Sequence, residues 1–363
     1  MIQGKIMEKK NLNSLKLLLN NMKNLSELKL KDLNDQIEEF KEKLLSKAFS
    51  IKEYIEYLNE KYNYPVEIYE HANIQYNGEN LPERPVLVLS GGGARGMAHA
   101  GVFKVLNDLK INPVAIIGTS IGAVAGSLIA DGKTAIDIYD IMYINEDMFK
   151  TLKWTNPLVR KKVKDKLTKF LKKHIDAHSF EELKIPLYIN SADLKTCKRI
   201  IFKSGELISA VVGSAAIPFM IESVKKDDFL LTDGGILDNF CVDIAHTIDN
   251  DGIIIVDVSG STDQTSSVLR DHRLLQFSKD IIETSKSFGQ RILPIESEKD
   301  VYSFINNIFY MLKLRGGLAP TLKGGEILIT PNLNGMKVFD FDRRDFAYQK
   351  GIEAAKNVFN KFL

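Results

Sequence analysis

The sequence predicts an α/β fold: a mostly parallel central sheet covered by helices on both faces, with an added helical N-terminal region. Three observations carry this expectation. Short apolar runs of buried-strand type, such as Pro85-Val86-Leu87-Val88-Leu89, alternate with stretches of helical length and pattern. Glycine clusters fall where strand gives way to helix, at residues 91–96 and 118–122. Ahead of these, Lys- and Glu-rich segments repeat apolar residues at intervals of three and four.

In chain order, residues 1 to about 65 read as helices, with Leu15-Lys16-Leu17-Leu18-Leu19 and residues 37–45 showing the pattern. Pro65 stops it, and residues 66–76 read as extended, ending at the turn dipeptide Asn77-Gly78. Residues 81–84 lead into the 85–89 strand. A helix is expected over 98–109, a strand at Val114-Ala115-Ile116-Ile117, and a small-residue helix over 121–130. Further strands are expected at Leu187-Tyr188-Ile189-Asn190, Ile200-Ile201-Phe202 and Ile253-Ile254-Ile255-Val256. The chain closes with a strand at Ile327-Leu328-Ile329 and a helix over 346–359. Strands alternating with helices in this way imply a parallel sheet.

With 363 residues there is room for one large domain or two ordinary ones. The expected division is a helical extension over 1–80 and a main domain over 81–363. Hydrophobic content of 44% and charged content of 26% are those of a soluble globular protein. A net charge of +2 gives no global pull toward nucleic acid, so an electrostatic partner must be met by a local patch. Cys197 and Cys241 are too few for a disulfide framework, lack metal-ligand spacing, and fit a reducing compartment. The start, Met1-Ile2-Gln3-Gly4-Lys5, has no secretory pattern, which points to a cytoplasmic location. Residues 113–130 are uncharged and approach transmembrane length. They also hold Gly118, Gly122 and Gly126, and fit a strand, sharp turn and buried helix better than a span.

Gly118-Thr119-Ser120-Ile121-Gly122 reads G-x-S-x-G, which places a serine on a tight turn between strand and helix, open to attack a carbonyl carbon. Glycines two before and two after relieve the crowding at that turn, and the helix that follows offers its positive end. About 27 residues earlier, Ser90-Gly91-Gly92-Gly93-Ala94-Arg95-Gly96 follows a strand and opens a helix. Its glycines let backbone N–H groups face inward toward the oxyanion that such an attack creates. The same letters satisfy G-x-G-x-x-G, the dinucleotide fingerprint. That reading needs a carboxylate at the end of the next strand, which instead runs Ile116-Ile117-Gly118-Thr119-Ser120. No Gly-Lys-Ser/Thr follows either, so phosphate-loop chemistry is absent. The pairing points to an acyl hydrolase.

A serine nucleophile needs a proton acceptor. The histidines are His71, His99, His174, His178, His246 and His272, and none lies in an informative local motif. In an α/β-hydrolase order, His246 or His272 can serve. The stronger candidate is Asp233 in Leu230-Leu231-Thr232-Asp233-Gly234-Gly235, an apolar run ending in a carboxylate at a strand end. Asp-Gly-Gly is also an ordinary turn, and an aspartate is a weak base unless desolvated or hydrogen-bonded to the serine.

The glycine block, G-x-S-x-G and Asp-Gly-Gly, in this order, resemble the patatin-like phospholipases. Asn190-Ser191-Ala192-Asp193-Leu194 and Ser214-Ala215-Ala216-Ile217-Pro218 look like the same family. The similarity runs over residues 85–260, with a weaker echo around Gly351. The resemblance implies a three-layer α/β/α fold, hydrolysis of lipid acyl esters, and no metal or other cofactor. It implies a Ser–Asp dyad with Ser120 as nucleophile and Asp233 as base, and an oxyanion hole at Gly91, Gly92, Gly93 and Arg95. His99 and the other histidines become structural or surface residues, and Asp193 packs or caps a turn.

A lipid hydrolase must meet an interface. Residues 150–173 are locally basic, with Lys161, Lys162, Lys164, Lys166, Lys169, Lys172 and Lys173 against Asp165 alone. Val159, Val163, Leu167, Phe170 and Leu171 share one helical face, with Trp154 upstream. The favoured reading is a surface helix docked by its apolar face. The competing one is peripheral contact with anionic lipid. Two other activities stay open beside hydrolysis: a lipid- or partner-binding protein on the same fold, and acyl transfer to an acceptor other than water.

Overall fold

The computed structural model describes residues 76, 78–143, 157–218, 220–259, 322, 324–336 and 340–363. The expected N-terminal helices, the extended segment before Tyr76, Trp154, His71 and His272 lie outside them.

The described strands form one eight-stranded sheet. Its spine is parallel: β1 (Val86–Leu89) lies between β2 (Ala115–Thr119) and β7 (Ile253–Val256), with β3 (Leu187–Asp193) beyond β2 and β8 (Ile327–Ile329) beyond β7. These are the apolar runs the sequence marks as strands. At the other edge, β4 (Lys198–Phe202), β5 (Val224–Lys226) and β6 (Phe229–Asp233) run antiparallel to their neighbours.

Alternate strand residues enter two separate apolar layers, which is why the central strands are apolar throughout. Leu87, Leu89, Ile116, Ile254 and Val256 pack with helices α1 (Met97–Asp108), α2 (Ile121–Asp131), α4 (Pro157–His174), α5 (Leu207–Ser214) and α7 (Arg344–Val358). Val86, Val88, Ala115, Ile117, Ile253 and Ile255 pack on the opposite face with Phe240 and with Val242 and Ala245 of the short α6 (Val242–Ala245). The result is the expected three-layer α/β/α arrangement. Helix α3 (Ala135–Tyr143) and α5 were not marked from the sequence. No helix among the described residues is long and apolar enough to cross a membrane.

One strand fixes the geometry of the site. In β3, Asn190 is in register with Thr119 of β2, and the next residue, Ser191, is in register with Asp233 of β6. Because β6 runs against β3, its C-terminal end meets the middle of that strand, beside the C-terminal end of β2. The residues that close these two strands therefore emerge side by side.

Candidate active site

Ser120 sits between β2 and α2 with φ 56° and ψ −122°, a conformation that costs a non-glycine residue about 1–3 kcal/mol. Its surroundings hold it there. The Ser120 N–H donates to Ser214 Oγ at 2.8 Å, and that hydroxyl donates to the Asn190 carbonyl at 2.6 Å. The Ser120 carbonyl accepts the N–H of Ala123 at 2.9 Å, tying the turn into the first turn of α2. Ser120 makes no side-chain cap to its own helix, which leaves its hydroxyl for other work.

That hydroxyl donates to Oδ2 of Asp233 at 2.6 Å. The length is that of a charge-assisted O–H···O⁻ bond. Both residues are buried, at 5% and 7% exposure, so the pair is largely withdrawn from bulk water. Asp233 is itself oriented: its N–H donates to the Ala216 carbonyl at 3.0 Å, and its Oδ1 accepts the Gly235 N–H at 2.8 Å. The positive end of the eleven-residue α2 lies at the same point, favouring negative charge.

The glycine block forms a 3₁₀ turn over Gly93–Gly96 between β1 and α1. Two of its four expected oxyanion positions are engaged elsewhere. The Gly91 N–H donates to Oδ1 of Asn239 at 2.9 Å. The Arg95 N–H donates to the Gly92 carbonyl at 3.4 Å, and its guanidinium is buried, with Nε donating to the Met336 carbonyl at 3.0 Å and Nη1 to that of Ser259. Burial lowers the pKa of this guanidinium, opposed by the nearby charges of Asp257 and Asp340. Arg95 thus anchors the loop from behind. The N–H groups of Gly92 and Gly93 have no hydrogen-bond acceptor among the described residues.

Residues 87–246 match the family model described as Patatin-like phospholipase. Over this stretch the chain is similar to the patatin-like phospholipases. An uncharacterized NTE family protein of Mycobacterium tuberculosis is 31% identical over 193 residues, covering 52% of this chain and 53% of the relative. Lysophospholipase nte1 of Aspergillus fumigatus is 27% identical over 76% of this chain and 18% of its own length. The mouse patatin-like phospholipase domain-containing protein 6 is 25% identical over 75% of this chain and 20% of its own. The chain therefore spans about half the length of the mycobacterial relative and about a fifth of the other two. Among solved structures, VipD from Legionella pneumophila gives a TM-score of 0.41 at 13% identity, covering 77% of this chain and 67% of that one.

The further patatin-like stretches bracket the dyad. Asn190 donates through Nδ2 to Thr119 Oγ1 at 3.2 Å and to the Asp238 carbonyl at 2.6 Å. Ser214 supports the elbow as described. Asp193 caps the β3–β4 turn, accepting the Thr196 N–H at 3.1 Å and the Leu230 N–H at 2.9 Å. Arg199, paired with Asp238 and Asp243, holds the segment after Asp233, and these carboxylates raise its pKa further. Asn239 and Arg199 were not singled out in the sequence, where each stands far from the serine and lacks a pattern, and Asn190 was marked only as part of a family-like stretch.

No described histidine bonds to Ser120. His246 Nε2 pairs with Glu326 Oε1 at 2.8 Å. His99 is fully buried, with Nε2 bonded to the Ser90 carbonyl at 2.9 Å. Burial pushes its pKa down from 6.5 to about 4, so the folded protein holds it neutral. The unfolded chain therefore takes up this proton first as pH falls. The stability His99 contributes is complete above pH 6.5 and is lost on the way down to about 4. The loss amounts to about 3 kcal/mol. Urea unfolding across that range should show a shallower pH slope for His99→Gln than for the wild type; equal slopes would refute the assignment.

Helix α4 buries Val163, Leu167, Phe170 and Leu171 against the core, while Lys161, Lys162, Lys166, Lys169, Lys172 and Lys173 stay exposed. Lys164 pairs with Glu222. The apolar face is thus spent on the protein, and the outward face is almost wholly cationic.

Proposed function

We propose that this protein is a carboxylic ester hydrolase acting on lipid acyl esters, of lysophospholipase or general esterase type, through Ser120 and Asp233. The observation that carries this reading is the 2.6 Å bond from Ser120 Oγ to Asp233 Oδ2 at a strained, buried turn. In the first half-reaction Oγ attacks the ester carbonyl carbon while its proton passes to Oδ2. The tetrahedral oxyanion is taken by the N–H groups of Gly92 and Gly93, assisted by the positive end of α2. Collapse breaks the carbonyl–alkoxy bond, and Asp233 returns the proton to the departing alcohol. Water then attacks the Ser120 ester with Asp233 again accepting a proton; collapse breaks the acyl–Oγ bond, Asp233 returns the proton to Oγ, and the fatty acid leaves. Holding Oδ1 on the Gly235 N–H keeps Oδ2 aimed at the serine throughout both halves.

The names of the fungal and mammalian relatives support a phospholipid substrate for this chain as well. We assign the hydrolase to residues 81–363, since β8 and α7 complete the sheet and core begun at Val86, with 1–80 as an extension. The direct test is fatty-acid release from lysophosphatidylcholine together with labelling by a fluorophosphonate probe. Absence of both, with detergent or vesicles present, would refute the hydrolase and favour a binding role on this fold.

The lysine face of α4 supports peripheral docking on anionic lipid by charge alone. Each lysine near such a surface contributes about 1 kcal/mol, so losing three weakens binding by about a hundredfold. Sedimentation with phosphatidylserine vesicles should show this for Lys161→Glu, Lys162→Glu and Lys169→Glu combined, with the effect fading at high salt. Unchanged vesicle binding would sink the idea.

A further inference from the structure

Asn239 lies six residues beyond Asp233, at 6% exposure, and reaches across to the glycine block. It grips Gly91 on both sides. Its Oδ1 accepts the Gly91 N–H at 2.9 Å, and its Nδ2 donates to the Gly91 carbonyl at 3.2 Å. One orientation of the carboxamide alone satisfies both contacts, because a backbone N–H must face oxygen and a backbone carbonyl must face nitrogen. The two bonds fix the peptide planes on either side of the Gly91 α-carbon.

The second plane is the important one. It joins Gly91 to Gly92, so it carries the Gly91 carbonyl at one edge and the Gly92 N–H at the other. In a trans peptide these two groups point in opposite directions. A hydrogen bond to the carbonyl therefore aims the Gly92 N–H away from Asn239, and it also polarises that N–H into a stronger donor. Space around the clamp is tight. A Cβ on Gly91 would lie 2.8 Å from Asn239 Oδ1 and 3.0 Å from Ser120 Cβ, so the gripped glycine is itself against the serine.

Asn239 is also close to the aspartate. A Cβ on Gly235 would lie 3.0 Å from Asn239 Oδ1 and 3.0 Å from Asp233 Oδ1, so the two oxygens are at most twice that distance apart. One neutral carboxamide thus connects the loop after the base to the loop opposite the nucleophile. We infer that Asn239 is a positioning residue that sets the Gly92 N–H as the leading oxyanion donor while keeping a second negative charge away from Asp233. The inference rests on the hydrolase reading above.

Two variants of the full chain test it, with p-nitrophenyl ester turnover as the readout. Asn239→Ala frees both peptide planes and should lower kcat by about 10–100-fold with KM little changed, a fraction of what losing an oxyanion donor outright costs. Asn239→Asp keeps an acceptor for the Gly91 N–H but loses the donor and adds a charge beside Asp233. That charge makes ionising Asp233 harder, so the acidic limb of the kcat/KM profile should move to higher pH. A purely structural role lowers the unfolding midpoint and leaves kcat per folded molecule of Asn239→Ala at the wild-type value. An unchanged limb in Asn239→Asp, or wild-type kcat per folded molecule in Asn239→Ala, overturns the inference alone. A wild type without turnover that depends on Ser120 overturns the hydrolase reading and this inference with it.

Discussion

Ser120→Ala is expected to lower kcat for ester hydrolysis by on the order of 10⁴–10⁶-fold and to abolish fluorophosphonate labelling. Asp233→Asn should cost on the order of 10²–10⁴-fold, and the reason lies in how the carboxylate is held. The Gly235 N–H, at 2.8 Å, needs an acceptor at Oδ1. An amide at this position must therefore turn its oxygen to Gly235 and its NH₂ to Ser120. The group facing Oγ then donates where it must accept, and the serine proton has nowhere to go. The substitution keeps the shape of the side chain, so folding should be preserved; the unfolding midpoint checks this. Turnover by Asp233→Asn within threefold of the wild type would remove Asp233 as the base.

How much of the structure is legible in the sequence depends on how far apart in the chain the interacting residues lie. The parallel strands were legible because a strand buried on both faces must be apolar throughout, as in Val86–Leu89 and Ile253–Val256. The elbow was legible because its glycines and serine are consecutive. The reversed direction of β4, β5 and β6 was not, since strand direction depends on pairing, and Ile200-Ile201-Phe202 reads the same either way. The contacts that support the site were equally silent, although the stretch that begins at Ser214 was marked. Ser214 meets Ser120 across 94 residues, and Asn239 meets Gly91 across 148. A serine ending a helix and an asparagine after a turn are ordinary residues in those places. The glycine block lies between a strand and a helix as expected, but one dimension cannot show that Asn239 takes the Gly91 N–H or that Arg95 turns its guanidinium to Met336 and Ser259.

Gly122→Ala should be the most damaging single methyl in the site, and Gly126→Ala, one turn later in α2, is its natural control. A Cβ on Gly122 would stand 2.2 Å from the Leu89 carbonyl oxygen, 2.6 Å from its carbon and 2.7 Å from the Ser90 oxygen. These are backbone atoms at the end of a central strand, already bonded to β2 and β7, and cannot yield. Helix α2 must move instead, carrying Ser120 away from Asp233. Overpacking of this kind costs about 3 kcal/mol of stability. A displacement near 1 Å costs about a hundredfold in turnover per folded molecule. A Cβ on Gly126 meets only side-chain methyls, at 3.0 Å from Ile116 and 3.5 Å from Leu187. There the strain is offset by alanine's helix preference of about 1 kcal/mol, and the change should be nearly neutral. Urea unfolding and kcat of the two variants decide the matter. Equal stability would mean that β1 and α2 are not in the tight contact on which the elbow depends, and the serine's strained backbone would need another explanation.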